Sequence, residues 1–152
     1  PPSRPGALPI CGRRDYEMVR SQLQGRGADP ENYHLLDYTV DLPLATAAAD
    51  LVVGRSGASI LEVAALGKPA LLVPYPYATA DHQLKNAEWM AAAGAAEVVI
   101  DSDLSGAVLK KRVEALLADR KRLTSMAAAS VRLGNRDGAA RVAAEIYEIA
   151  ER

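Results

Sequence analysis

The apolar positions of this chain fall into two periods, and they change over near residue 101. From Arg13 to Gln24, Tyr16, Val19 and Leu23, with Met18 nearby, recur near helical spacing; Gly25, Gly27 and Pro30 close that segment. Asp41 to Ala49 is Ala-rich, with Pro43 near its start, as suits a helix whose first turn tolerates proline. Leu51–Gly54 and Ala70–Val73 are short continuous apolar runs, the pattern of strands covered on both faces. Between them Ser59 to Leu66 predicts a helix stopped by Gly67 and Pro69. Asp81 to Ala93 predicts another, with Asp81 as N-cap and Gly94 as stop. Leu8 to Cys11, His34 to Tyr38 and Glu97 to Ile100 read as further strands. Beyond Asp101 only helical spacing remains: Leu104, Val108, Val113, Leu116 and Leu117, then Leu123, Met126 and Val131, then Val142, Ile146 and Ile149. Alternating strands and helices predict an α/β fold, a Rossmann-like parallel sheet flanked by helices with a helical C-terminal extension.

Composition sharpens this picture in three ways. The 152 residues suit one domain, here 10–152, behind an irregular Pro-rich tail or linker remnant at 1–9. Hydrophobic residues make up 49% of the chain, yet only 5% are aromatic and Phe is absent, so the core is built from Ala, Leu, Val and Ile. The net charge of −1, with cations spread along the chain, argues against a nucleic-acid surface. A single Cys11 excludes an internal disulfide framework and favours a reducing compartment; no Cys/His cluster has metal-site spacing. No apolar run approaches the ~20 residues of a membrane span, and no signal-peptide core precedes the fold.

Chemistry concentrates in two segments. Asp50 to Glu62 reads as strand, Gly/Ser turn and helix start; in a parallel sheet this places unpaired N–H groups and a helix N-terminus at the carboxyl edge, where nucleotide phosphates can sit. Glu62 on that helix can accept hydrogen bonds from a sugar diol. The plainer alternative is an ordinary βα turn with a solvated Glu. The second segment, Pro74 to Ala80, leaves the next strand toward His82, Gln83 and Asn86 and faces the same edge; Gln83 and Asn86 share a helix face, and carboxamides suit sugar hydroxyls. The alternative is a capped helix with Gln83 and Asn86 solvated. Arg55 points either at phosphate or back to the strand ends, there to pair with Asp50 or Asp41. Ser56 lacks a G-x-S-x-G frame, and no G-x-G-x-x-G is present, so neither nucleophilic hydrolysis nor dinucleotide binding is expected.

Taken in order, Arg13-Arg14-Asp15-Tyr16, Asp29-Pro30-Glu31-Asn32-Tyr33, Ala48 to Val53, Arg55-Ser56-Gly57-Ala58, Leu66 to Ala70, Val73-Pro74-Tyr75-Pro76, Asp81-His82-Gln83 and Asn86-Ala87 resemble the MurG family over nearly the whole chain. That family transfers N-acetylglucosamine (GlcNAc) from UDP-GlcNAc to the undecaprenyl-linked acceptor lipid I, giving lipid II in peptidoglycan synthesis. The resemblance implies the C-terminal, donor-binding half of a GT-B glycosyltransferase. It assigns Glu62 to the ribose hydroxyls, Thr39 to the uracil edge through backbone groups, and Ser56, Gly57 and Ala58, with Arg55 beside them, to the diphosphate and GlcNAc. Gln83 is assigned to the GlcNAc hydroxyls, flanked by His82 and Asn86. It further implies no cofactor and no protein metal site, leaving Mg²⁺ on the diphosphate open, and an inverting displacement whose general base belongs to the other half. The expected partners are UDP-GlcNAc and lipid I, with the full enzyme peripheral on the inner face of the bacterial plasma membrane.

The pattern departs from the family in three places. The Arg55–Glu62 interval is one residue short, the family's G-G-S-x-G-A segment and first strand are missing, and so is the acceptor half. The chain is therefore read as a fragment, inactive alone, or as a separate donor-binding subunit; a UDP-GlcNAc epimerase-like domain is the remaining alternative.

Overall fold

The computed structural model describes residues 6–27, 31–135 and 137–151. The chain divides into two compact units, 1–45 and 46–152. In the first, the strands expected near Leu8–Cys11 and His34–Tyr38 reduce to two parallel bridges, Ala7 with Tyr33 and Ile10 with Leu36. Gly12, at φ 84°, then turns the chain into α1 (Tyr16–Gly25). The predicted stop at Pro30, the neighbouring Asp29 and the first five residues of the predicted tail lie outside the described residues. Helix α2 (Leu42–Ala48), with Pro43 in its first turn as predicted, carries the chain into the second unit.

That unit is built on a parallel sheet, β1 (Val52–Gly54), β2 (Ala70–Leu72) and β3 (Ala96–Val98), in that spatial order. Gly54 aligns with Leu72, and Leu72 with Val98, so all three strands release their chains at one rim. Only β2 is buried along its whole length; β1 lies at an edge with Val53 exposed, a departure from the expectation of burial on both faces. β3 begins one residue before Glu97 and stops at Val98, short of the predicted Ile100.

Helices α3 (Ile60–Ala65) and α4 (His82–Ala92) connect the strands. Both end as the glycines predict. Gly67 (φ 67°) and Gly94 (φ 78°) take the left-handed conformation after the last turn. The following amides, of Lys68 and Ala95, reach back to Val63 O at 3.1 Å and Met90 O at 2.9 Å. The helical extension follows as α5 (Gly106–Ala118), α6 (Arg120–Leu133) and α7 (Gly138–Ala150). Ser105 and Asp119 cap α5 and α6 by accepting from the amides of Val108 and Arg122.

Because side chains alternate along a strand, β2 divides the core into two layers. Ala70 and Leu72 pack with Ile60, Val63, Ala64, Ala87 and Met90 of α3 and α4. Leu71 and Val73 pack with Val99, Leu116 of α5, and Leu123 and Met126 of α6. Ala129 places the far end of α6 in the first layer, so this helix clasps both. Glu97 on β3, opposite Leu71, is mostly buried and held by Arg122 at 2.5 Å and Arg112 at 3.6 Å. Among the described residues no helix is long and apolar enough to cross a membrane.

Candidate functional site

The rim where the strands end collects both segments singled out in the sequence. Arg55, the first residue past β1, turns back on the sheet: its Nη1 donates to Val73 O at 3.3 Å and Pro74 O at 3.2 Å and pairs with Asp101, while its guanidinium lies 5.5 Å from the Tyr75 ring centroid. One side chain thus braces the exits of all three strands. Of the two orientations open to it, the strand-end one is adopted, and the partner is Asp101 rather than Asp50 or Asp41. Asp101 went unnoticed in the sequence; its signal is its position just beyond the last predicted strand, at the rim where Arg55 also falls.

Ser56 follows, with no exposed surface. Its Oγ donates to the backbone oxygen of Gln83 at 2.6 Å, and Asn86 Nδ2 donates to Ser56 O at 2.9 Å. These bonds tie the first turn of α4 to the turn after β1, so the reading of Gln83 and Asn86 as merely solvated does not hold. They also engage the Ser56 hydroxyl within the protein. The N–H groups of Gly57, Ala58 and Ser59 donate to no acceptor among the described residues. The helix they precede is only six residues long, so the expected contribution of its dipole gives way to these individual amides.

Gln83 stands over this turn. Its Oε1 accepts from Tyr75 N–H at 3.0 Å, and its Nε2 lies 4.0 Å from where a Cβ on Gly57 would be. His82 Nδ1 lies 2.8 Å from Thr79 O. A carbonyl only accepts, so Nδ1 carries a proton in this contact. Ahead of His82, a short 3₁₀ turn over Thr79–Asp81 holds two non-glycine residues in the left-handed region, Ala80 at φ 52° and Asp81 at φ 54°. Asp81 occupies the N-cap position of α4 but makes no capping bond. A capping side chain needs extended backbone to swing over the first amides, and left-handed backbone denies it that.

Glu62, in the first turn of α3, is exposed, and its carboxylate has no partner among the described residues. Thr39 belongs to the first unit, where its Oγ1 accepts from Asp41 N–H at 3.0 Å. No cluster of metal-ligating side chains occurs among the described residues. A cavity of about 200 Å³ opens near the strand starts, lined by Asp50, Lys68, Pro69, Arg120 and Thr124 among others, and contains none of the site residues.

A doubly covered parallel sheet whose carboxyl rim carries a turn of free amides, a carboxamide and an unpaired carboxylate defines a Rossmann-like half of the GT-B glycosyltransferase class. The chain belongs to the family described as glycosyltransferase family 28 C-terminal domain, whose model matches residues 7–142. It is 48% identical over 131 residues to the UDP-N-acetylglucosamine–N-acetylmuramyl-(pentapeptide) pyrophosphoryl-undecaprenol N-acetylglucosamine transferase of Moorella thermoacetica, covering 84% of this chain and 35% of that protein. The enzyme of the same name from Halothermothrix orenii is 44% identical over 129 residues, covering 82% and 35%. The crystal structure of Acinetobacter baumannii MurG superposes with a TM-score of 0.82 at 29% identity, over 96% of this chain and 42% of that one. The chain thus spans about a third of the length of these curated relatives.

Proposed function

We propose that this chain is the donor-binding half of a transferase that moves GlcNAc from UDP-GlcNAc to lipid I. The observation that carries the reading is the direct bonding of the two rim loops, which sets the Gln83 amide against a turn of unpaired N–H groups. Those groups suit a diphosphate, and the carboxamide suits a sugar attached to it. Glu62 accepts from the ribose hydroxyls, and His82 flanks Gln83 beside the sugar. The substrates named for the relatives above support this choice of ligand.

The reaction is a displacement. The acceptor's hydroxyl oxygen forms a bond to the anomeric carbon while the bond from that carbon to the diphosphate oxygen breaks, with inversion. UDP departs with the bonding electrons, and the hydroxyl proton passes to a base in the other half of the enzyme. Charge grows on the leaving diphosphate, so amides already aimed at it lower the barrier without reorganising. Gln83 holds the sugar in line for attack. The acceptor half also carries the lipid-facing surface, with the full enzyme peripheral on the cytoplasmic face of the membrane.

Calorimetric titration of UDP-GlcNAc into the wild type and Glu62→Ala tests the site. Loss of a charge-assisted contact to a diol weakens binding by about tenfold or more. Equal affinities remove Glu62 from the site.

A further inference from the structure

Ser56 and Asn86 make bonds inside the protein that their residue types do not announce. Ser56 is wholly buried, and the amide nitrogen of Asn86 is committed to the Ser56 carbonyl. What they hold is more specific than the fold. Oγ of Ser56 bonds the backbone of Gln83 itself, at 2.6 Å, while the amide of Tyr75 bonds the Gln83 side-chain oxygen at 3.0 Å. A backbone N–H can be met only by an oxygen, so the Gln83 carboxamide has one orientation: oxygen toward the Tyr75 backbone, NH₂ free and next to Gly57.

Resting on the donor-site reading, we infer that Ser56 and Asn86 are positioning residues. They clamp the turn after β1 to the start of α4 so that Gln83 presents its NH₂ to the bound sugar. The group facing that NH₂ is an oxygen of the sugar that accepts from it. Removing the clamp leaves the residues of the turn and Gln83 chemically intact but frees their relative placement.

The test is a double-mutant cycle read by calorimetric titration with UDP-GlcNAc on the 152-residue chain. Asn86→Asp keeps the shape and removes the donor; Ser56→Ala removes the hydroxyl with little change of volume. Each is made in the wild type and in the Gln83→Ala background, with circular dichroism and a thermal melt confirming the fold. Each clamp variant lowers affinity about tenfold when Gln83 is present and less than about twofold when it is absent, because positioning acts through the residue positioned. The same loss in both backgrounds, or no loss in either, overturns the inference. Should one clamp variant fail to fold, the other completes a cycle on its own. A wild type that does not bind UDP-GlcNAc brings down the donor reading and this inference with it; a binding wild type with additive variants brings down the inference alone.

Discussion

Arg55 shows how a single side chain can be read correctly as important and wrongly as to partner. Its pair with Asp101 is half exposed and by itself contributes no more than about 1 kcal/mol. The two bonds to the carbonyls of Val73 and Pro74 are part-buried and charge-assisted. Arg55→Ala is therefore expected to cost about 2 kcal/mol in urea unfolding and Asp101→Ala less than about 1, an asymmetry that a simple ion pair would not show. At Ala80 the opposite sign is expected. Left-handed backbone costs a non-glycine residue about 1–2 kcal/mol, and glycine returns about 0.5–1 of that as lost chain entropy. Ala80→Gly should thus raise the urea midpoint by an amount equivalent to about 0.5–1 kcal/mol. A lowered midpoint would mean that Ala80 is not strained.

Among the elements, α6 makes the most demanding contact. A Cβ on Gly134, just past its C-terminus, would fall 2.6 Å from Ala64 O and 2.7 Å from Ala65 Cα on α3. Both are backbone atoms that cannot step aside, so Gly134→Ala is expected to destabilise by about 2–3 kcal/mol, visible as a lowered melting temperature. A glycine between two helical segments carries no sign of this contact in the sequence itself. Its conformation is ordinary, and the requirement comes from a helix about 70 positions upstream. Gly67 and Gly94 differ, because their positive φ belongs to a local helix-ending motif that can be read from the residues around them. The same contrast separates Ser105, which caps α5, from Asp81, which stands at the start of α4 without capping it.

For the second unit as a whole, two core layers sharing β2 predict one cooperative transition with independent losses on either side. Met90 in one layer and Leu116 in the other are both fully buried. Truncating either to Ala should cost about 2–4 kcal/mol, and the double variant should equal the sum within about 0.5 kcal/mol. Marked non-additivity in denaturant unfolding would mean that the layers communicate through the sheet. The order of strands and helices, the parallel class and the glycine stops were legible because they rest on periodicity and on local backbone chemistry. The rim loops were legible as candidates for the same reason: a parallel sheet sends every strand's exit to one edge.

The spacing of apolar residues, the glycines of the helix ends and the linked motifs that match a glycosyltransferase family are all properties of short segments, and such segments carry their physics with them. Which partner a polar side chain takes is another matter. Arg55 with Asp101, Ser56 with Gln83, Glu97 with Arg112 and Arg122, and Gly134 against α3 all join residues far apart in the chain. Hydrogen bonds and close contacts of this kind depend on ångström-scale placement that exists only once the sheet has closed and its helices have packed, which is why the burial of Ser56 against Gln83 is not written in its turn.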